Sequence, residues 1–187
     1  LGMLGVLTWQ QSGIYRDEIT FFSYIVAHNP KARGAHRSLG AALLRAGRLE
    51  EGYATTLTAL RQRPDSAEAY AHLGYALLLM GRLDEAGVKL TRALEIDPIN
   101  TQALDYLAKV RFTQKRYGEA LALYQTLLKV LPEDAQTHLN LGSTLYHLGR
   151  PEEALASFEQ ALTLNPQLEN ARNNARQLRQ DLNRRRF

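Results

Sequence analysis

The chain predicts an all-α fold, a right-handed superhelix (α-solenoid) of antiparallel helix hairpins with a C-terminal capping helix. Three observations carry that expectation. Pro30, Pro64, Pro98, Pro132 and Pro166 recur every 34 residues without insertion or deletion, and only Pro151 stands outside the series. Seventeen residues before each lies Gly13, Gly47, Gly81, Lys115 or Gly149; glycine leaves a helix most readily, through a left-handed position. Between these marks, small and large apolar residues return in register. A period of this length denotes stacked two-helix units that cannot bury their apolar faces alone.

Residues 1–32 precede the clear units. Gly13, Tyr15, Phe22, Ile25 and Pro30 fit the second half of a unit, but Glu18 stands where the other units carry Gly or Ala. The run from Leu1 to Trp9 is uncharged and apolar, yet shorter than the about 20 residues that cross a bilayer. This stretch is expected to be a degenerate first unit or the end of a membrane-anchoring segment. Four units follow, at 33–66, 67–100, 101–134 and 135–168. Position 7 holds Leu39, Leu73, Leu107 and Leu141, and position 8 holds Gly40, Gly74, Ala108 and Gly142. Position 20 holds Gly52, Ala86, Ala120 and Ala154; position 24 holds Thr56, Leu90, Tyr124 and Phe158. Small residues at 8 and 20 let the two helices of a hairpin approach closely. Larger groups at 7, 11 and 24 are expected to fill the gap to the neighbouring hairpin. The proline cannot continue the second helix and turns the chain into the next unit. Gly52 with Thr56, and Ala108 with Arg111, depart from the pattern, so those hairpins should be looser. In 169–187, Leu178 and Leu182 continue a stripe from Leu168, Ala171 and Ala175 on a helix otherwise rich in Arg, Asn and Gln. That is a basic capping helix.

The run Tyr70-x-x-Leu73-Gly74, Ala86, Leu90, Ala93, Pro98 resembles the tetratricopeptide (TPR) repeat, as does Leu141-Gly142, Ala154, Phe158, Ala161, Pro166. The resemblance covers residues 33–166 and implies that the first helices of the hairpins line a concave groove. Carried onto this sequence, the groove would present Arg37, Arg45, His72, Tyr75, Tyr106, Lys109, Phe112, Asn140, Tyr146 and His147. Aromatic surface gives contact area at low entropic cost, and polar groups set the register of an extended peptide. The family's carboxylate clamp for peptide C-termini is missing, because its positions hold Arg37, Ala41, His72, Gln102 and Tyr106. A second resemblance concerns the start of the chain. Leu7-Thr8-Trp9, Tyr15-Arg16-Asp17, Thr20-Phe21-Phe22, Val26, Asn29-Pro30, His36 and Leu39-Gly40 are similar to a junction in bacterial glycosyltransferase-like integral membrane proteins. There the last transmembrane helix runs into a C-terminal TPR array. This implies a membrane-embedded parent chain with the repeats on the extracytoplasmic side, and Leu1 in place of an initiator Met agrees with a fragment.

Composition narrows the function classes. With 45% apolar and 22% charged residues the chain is not disordered. It has no cysteine, which excludes disulfides and cysteine metal sites. The net charge is +4, but 1–168 carry 17 Lys and Arg against 17 Asp and Glu. The excess belongs to Arg172, Arg176, Arg179 and Arg184–Arg186 in the last helix, so the body is electrically balanced and nucleic acid is not an expected partner. Phosphate-loop, dinucleotide, zincin and serine-elbow motifs are absent. The histidines 28, 36, 72, 138 and 147 include no i, i+4 pair that would suit a helical metal site. His36 and His138 sit at position 4 of their units, where they are expected to be structural. Glu50-Glu51, Asp84-Glu85 and Glu152-Glu153 open second helices, where the helix dipole favours negative charge.

The expected function is therefore a non-enzymatic protein- or peptide-binding scaffold, without cofactor or metal. Two further expectations stand beside it. One is an accessory C-terminal region of a membrane-bound glycosyltransferase-like protein; a free-standing chain would instead be cytoplasmic. The other is a self-assembling scaffold, a homo-oligomer in which residues 1–12 dock into another copy's groove.

Overall fold

Two kinds of turn alternate along this chain, and together they set its period. The computed structural model describes residues 17–32 and 34–184. Among them are ten α-helices and no strand. They are α1 Glu18–His28, α2 Ala35–Arg45, α3 Leu49–Gln62, α4 Ala67–Leu79 and α5 Leu83–Ile96. After these come α6 Thr101–Thr113, α7 Tyr117–Val130, α8 Ala135–His147, α9 Pro151–Leu164 and α10 Glu169–Arg184. The chain forms two compact units, Leu1–Ile96 with α1 to α5 and Asp97–Phe187 with α6 to α10. The apolar run Leu1–Trp9, the expected docking segment 1–12 and the Gly13 turn lie outside the described residues. None of the described helices is long and apolar enough to cross a membrane.

The first kind of turn joins the two helices of a hairpin. Gly47, Gly81 and Gly149 take φ of 76°, 75° and 72°, and Lys115 takes 60° in the same place. The residue after each donates its backbone N–H back across the turn: Arg48 to the Leu43 carbonyl, Arg82 to Leu77, Arg116 to Arg111 and Arg150 to Leu145, at 2.8–3.0 Å. Those bonds satisfy carbonyls that the helix end would leave bare. The same arginines then reach forward. Arg48 donates to Glu51, Arg82 to Glu85, Arg116 to Glu119 and Arg150 to Glu153 at 2.6–2.8 Å. The acidic residue in the first turn of α3, α5, α7 and α9 is thus one half of a repeated ion pair.

The second kind of turn joins one hairpin to the next. Two residues after the proline, Ser66, Asn100 and Asp134 cap α4, α6 and α8 by accepting the N–H of Ala69, Ala103 and Thr137. Such caps suit short polar side chains. The equivalent residue before α2 is Ala32, whose side chain offers no acceptor. Helices α4, α6 and α8 begin 34 residues apart, whereas α2 begins at Ala35, two residues late in that register, after Gly34 at φ 76°.

Close helix contact inside each hairpin follows the small residues. A Cβ on Gly40 would meet the Thr56 hydroxyl, one on Gly74 would meet Leu90 and one on Gly142 would meet Phe158. Position 24 therefore packs against position 8 of its own hairpin. This corrects the expectation that it fills the gap to the neighbour. Thr56 is fully buried and donates its hydroxyl to the Gly52 carbonyl at 2.8 Å. Leu73, Leu77, Ala86, Leu90 and Ala93 are fully buried in the first unit. In the second, Ala108, Ala120 and Tyr124 form one cluster. Leu139, Leu145, Ala154 and Phe158 form another, which α10 covers with Ala171, Ala175 and Leu178. Helix α1 buries no residue fully, in keeping with Glu18 at its position 20.

Candidate functional site

In the second unit, helix α8 carries Asn140, Ser143, Tyr146 and His147 on one face, the spacing at which helical side chains lie above one another. Ser143, Tyr146 and His147 line a cleft of about 270 Å³. Phe158 of α9 forms part of its wall, and Asn174, Gln177, Leu178 and Asp181 of α10 close the other side. Tyr146 is 52% exposed, a large aromatic surface left open at a polar-lined cleft. Beside it the rings form a cluster. His147 stacks on Tyr117 with centroids 4.7 Å apart and planes at 8°. Phe112 meets both edge-on at 5.3 and 5.4 Å, and Tyr146 meets His147 at 5.8 Å. These contacts fix the imidazole and the end of α8.

The remaining expected residues of this unit are engaged locally. Lys109 donates to Asp105 at 2.7 Å and stands 5.8 Å from the Tyr106 ring centroid. Burial pushes the Tyr124 phenol up, and the charge of Asp105 adds to the effect. The Asn140 side-chain oxygen accepts from Gln136 at 3.1 Å. Its Nδ2, in contrast, is buried with no hydrogen-bond partner.

In the first unit, Arg37 pairs with Glu68 at 3.6 Å and Arg45 with Glu18. Tyr75 is half-buried. Burial holds the His72 imidazole below its ordinary 6.5, and the charges of Arg37 and Arg45 press it lower while Glu68 opposes them. The Nδ1 of His72 is the other buried side-chain polar atom without a partner among the described residues. His72 and Asn140 occupy the same register position, the sixth of their units, two periods apart. A buried polar atom left unpaired costs about 1–3 kcal/mol, so both stand out.

Four residues of this region lie beyond what the sequence pattern singles out. Tyr117 opens a second helix, whereas the groove expected from the repeat is built of first helices. Asn174, Gln177 and Asp181 belong to α10, whose composition marks only a cap. Their steps of 3 and 4 beside the apolar stripe are the signal that places them on its flank. His36 and His138 are structural: His36 is 9% exposed and lies 3.4 Å from Gln62, and His138 Nε2 donates to the Pro132 carbonyl at 2.9 Å. Among the described residues no three His, Asp or Glu side chains converge to hold a metal ion.

Two tetratricopeptide repeat models match the chain, at residues 107–169 and 55–87, together just over half of it. Solved structures share the fold. PilF of Pseudomonas aeruginosa superposes with a TM-score of 0.77 at 26% identity, covering 83% of this chain and 71% of that one. TTC0263 of Thermus thermophilus, a thermophilic TPR protein, gives 0.73 at 21% identity over 94% and 95% of the two chains. YrrB, described as a TPR protein with an unusual peptide-binding site, gives 0.67 at 19% identity over 92% and 86%. No curated protein matches the sequence.

Proposed function

Because the chain belongs to the tetratricopeptide repeat family, we propose that it is a non-enzymatic scaffold that binds an extended peptide along the first-helix faces of its hairpins. The observation that carries this reading is the open ring of Tyr146, 52% exposed at the cleft between α8 and α10. Tyr146, with its open ring above the α8–α10 cleft, is the anchor for an apolar side chain. Aromatic anchors that a partner covers on binding carry much of an interface's affinity. The Asn174, Gln177 and Asp181 side chains set register at the rim.

Selection from a displayed peptide library tests the reading. Peptides enriched on the wild-type chain should lose at least about tenfold in affinity against Tyr146→Ala and more against a triple Tyr75, Tyr106 and Tyr146 to Ala variant, with helicity unchanged by circular dichroism. Equal affinity for the triple variant, or no enrichment at all, refutes the groove.

A second reading places this scaffold as the C-terminal region of a membrane-bound glycosyltransferase-like protein, the repeats on the extracytoplasmic side. The junction residues from Leu7 to Gly40 favour it. Reading the gene upstream of Leu1 decides: several apolar segments of about 20 residues support it, and their absence ends it.

A further inference from the structure

A crevice of about 880 Å³ opens in the first unit between the loop before α2, the end of α3 and the start of α4. That volume is of the size that small-molecule sites occupy. Helix α2 starts late beside it, after Gly34. Its wall also carries His36 where the next unit has the larger Tyr70. Gln62 braces the wall, its amide donating to the Pro30 carbonyl at 3.0 Å and lying 3.4 Å from His36 Nδ1.

The charge of this crevice is particular to it. Lys31, Arg37 and Arg63 line it, and among the described residues no carboxylate does. At the same register, 34, 68 and 102 residues on, Lys31 becomes Asp65, Ile99 and Glu133; Arg37 becomes Ala71, Asp105 and Leu139; Arg63 becomes Asp97, Leu131 and Asn165. Gln62 becomes Ile96, Val130 and Leu164. The hairpin thus tolerates acids and apolar groups at the places of Lys31, Arg37 and Arg63, and its packing does not require cations there. Glu68 stands nearby, 3.6 Å from Arg37, and its charge also meets that of Arg63. It cannot balance three cations, and the mutual repulsion of like charges around one concavity is relieved by a bound anion.

We propose that this crevice binds a phosphate-bearing small molecule, with the guanidinium groups of Arg37 and Arg63 and the Lys31 ammonium as its anion donors. Two planar forks and a point charge suit a compact, doubly charged tetrahedral group. The half-apolar floor of Ala59 and Ala69 takes an uncharged remainder. The crevice shares no residue with the α8–α10 cleft, so loss of one function leaves the other to be measured.

Calorimetric titration of the full chain with inorganic phosphate and with pyrophosphate, at fixed ionic strength, tests the proposal. Saturable binding is expected, tighter for pyrophosphate. A Lys31→Asp/Arg63→Asp variant should weaken it at least about tenfold while keeping the wild-type melting profile, since the chain itself places Asp65 and Asp97 at those register positions. Vesicles carrying phosphatidic acid separate the sources. Binding to them as well assigns a lipid headgroup, and binding to pyrophosphate alone assigns a soluble ligand. Absence of saturation with either phosphate, equal affinity in the double variant, or tighter binding of an oligoglutamate peptide than of pyrophosphate each overturns it.

Discussion

Lys115 holds the place that Gly47, Gly81 and Gly149 hold in the other hairpins, and it does so at φ 60°. A left-handed conformation costs an L-residue about 1–2 kcal/mol, and glycine loses back about 0.5–1 through its freer unfolded chain. Lys115→Gly should therefore stabilise the second unit by about 0.5–1 kcal/mol, read as a higher urea midpoint at unchanged slope; a lower midpoint would show that contacts of the lysine side chain outweigh its strain. The opposite substitution is instructive at Gly74. There an added Cβ would run into Leu90 Cγ, and Leu90 is fully buried. Overpacking of that kind costs about 1–3 kcal/mol, more than the gain in helix propensity of up to about 1. Gly74→Ala should lower the midpoint, and the double variant with Leu90→Ala, itself a loss of about 2–5 kcal/mol, should lose less than the sum of the two single changes. The small residues were legible from their period alone. Their partners were not, because which side chain meets Gly74 depends on the rotation of one helix against another, and residue type does not report rotation.

The last helix shows the same division at the scale of an element. Its apolar stripe of Ala171, Ala175 and Leu178 was evident in the sequence and is buried on α9 and α8. Its polar flank, which closes the cleft beside Tyr146, was not, since Asn and Gln on a solvated helix carry no mark of what they face. Leu178 belongs to both roles, 4% exposed and lining the cleft. Leu178→Ala should cost about 2–5 kcal/mol in unfolding free energy and weaken the selected peptides, whereas Asn174→Ala should weaken them with little change in stability. If both variants bind as the wild type does, α10 is a cap and nothing more. Helix α2 teaches the converse. Ala32 stands in the place of Ser66, Asn100 and Asp134, a legible substitution, and the helix that lacks their side-chain cap starts late beside the basic crevice.

At the scale of the molecule, the balanced charge of residues 1–168 means that pH acts through a few perturbed groups instead of through net repulsion. Glu51, Glu85 and Glu153 are held below the usual carboxylate range by hydrogen bonds from Arg48, Arg82 and Arg150. A lowered carboxylate contributes stability above its unfolded value of 4.5, lost as pH falls through the folded one. These pairs are exposed and screened by solvent, so their share is small. His72 is different, because burial is the first cause of its lowered value. The unfolded chain binds that proton near 6.5 while the folded chain resists it, so stability is complete above 6.5 and declines as pH falls below it. Acidification should thus weaken the protein in two stages, the upper one owed in part to His72. Urea midpoints of the wild type and of His72→Gln, compared at about pH 7.5 and about pH 5.5, isolate its share. The wild type should lose more than the variant over that interval. Equal losses would mean that His72 takes up its proton in the folded state as easily as in the unfolded one.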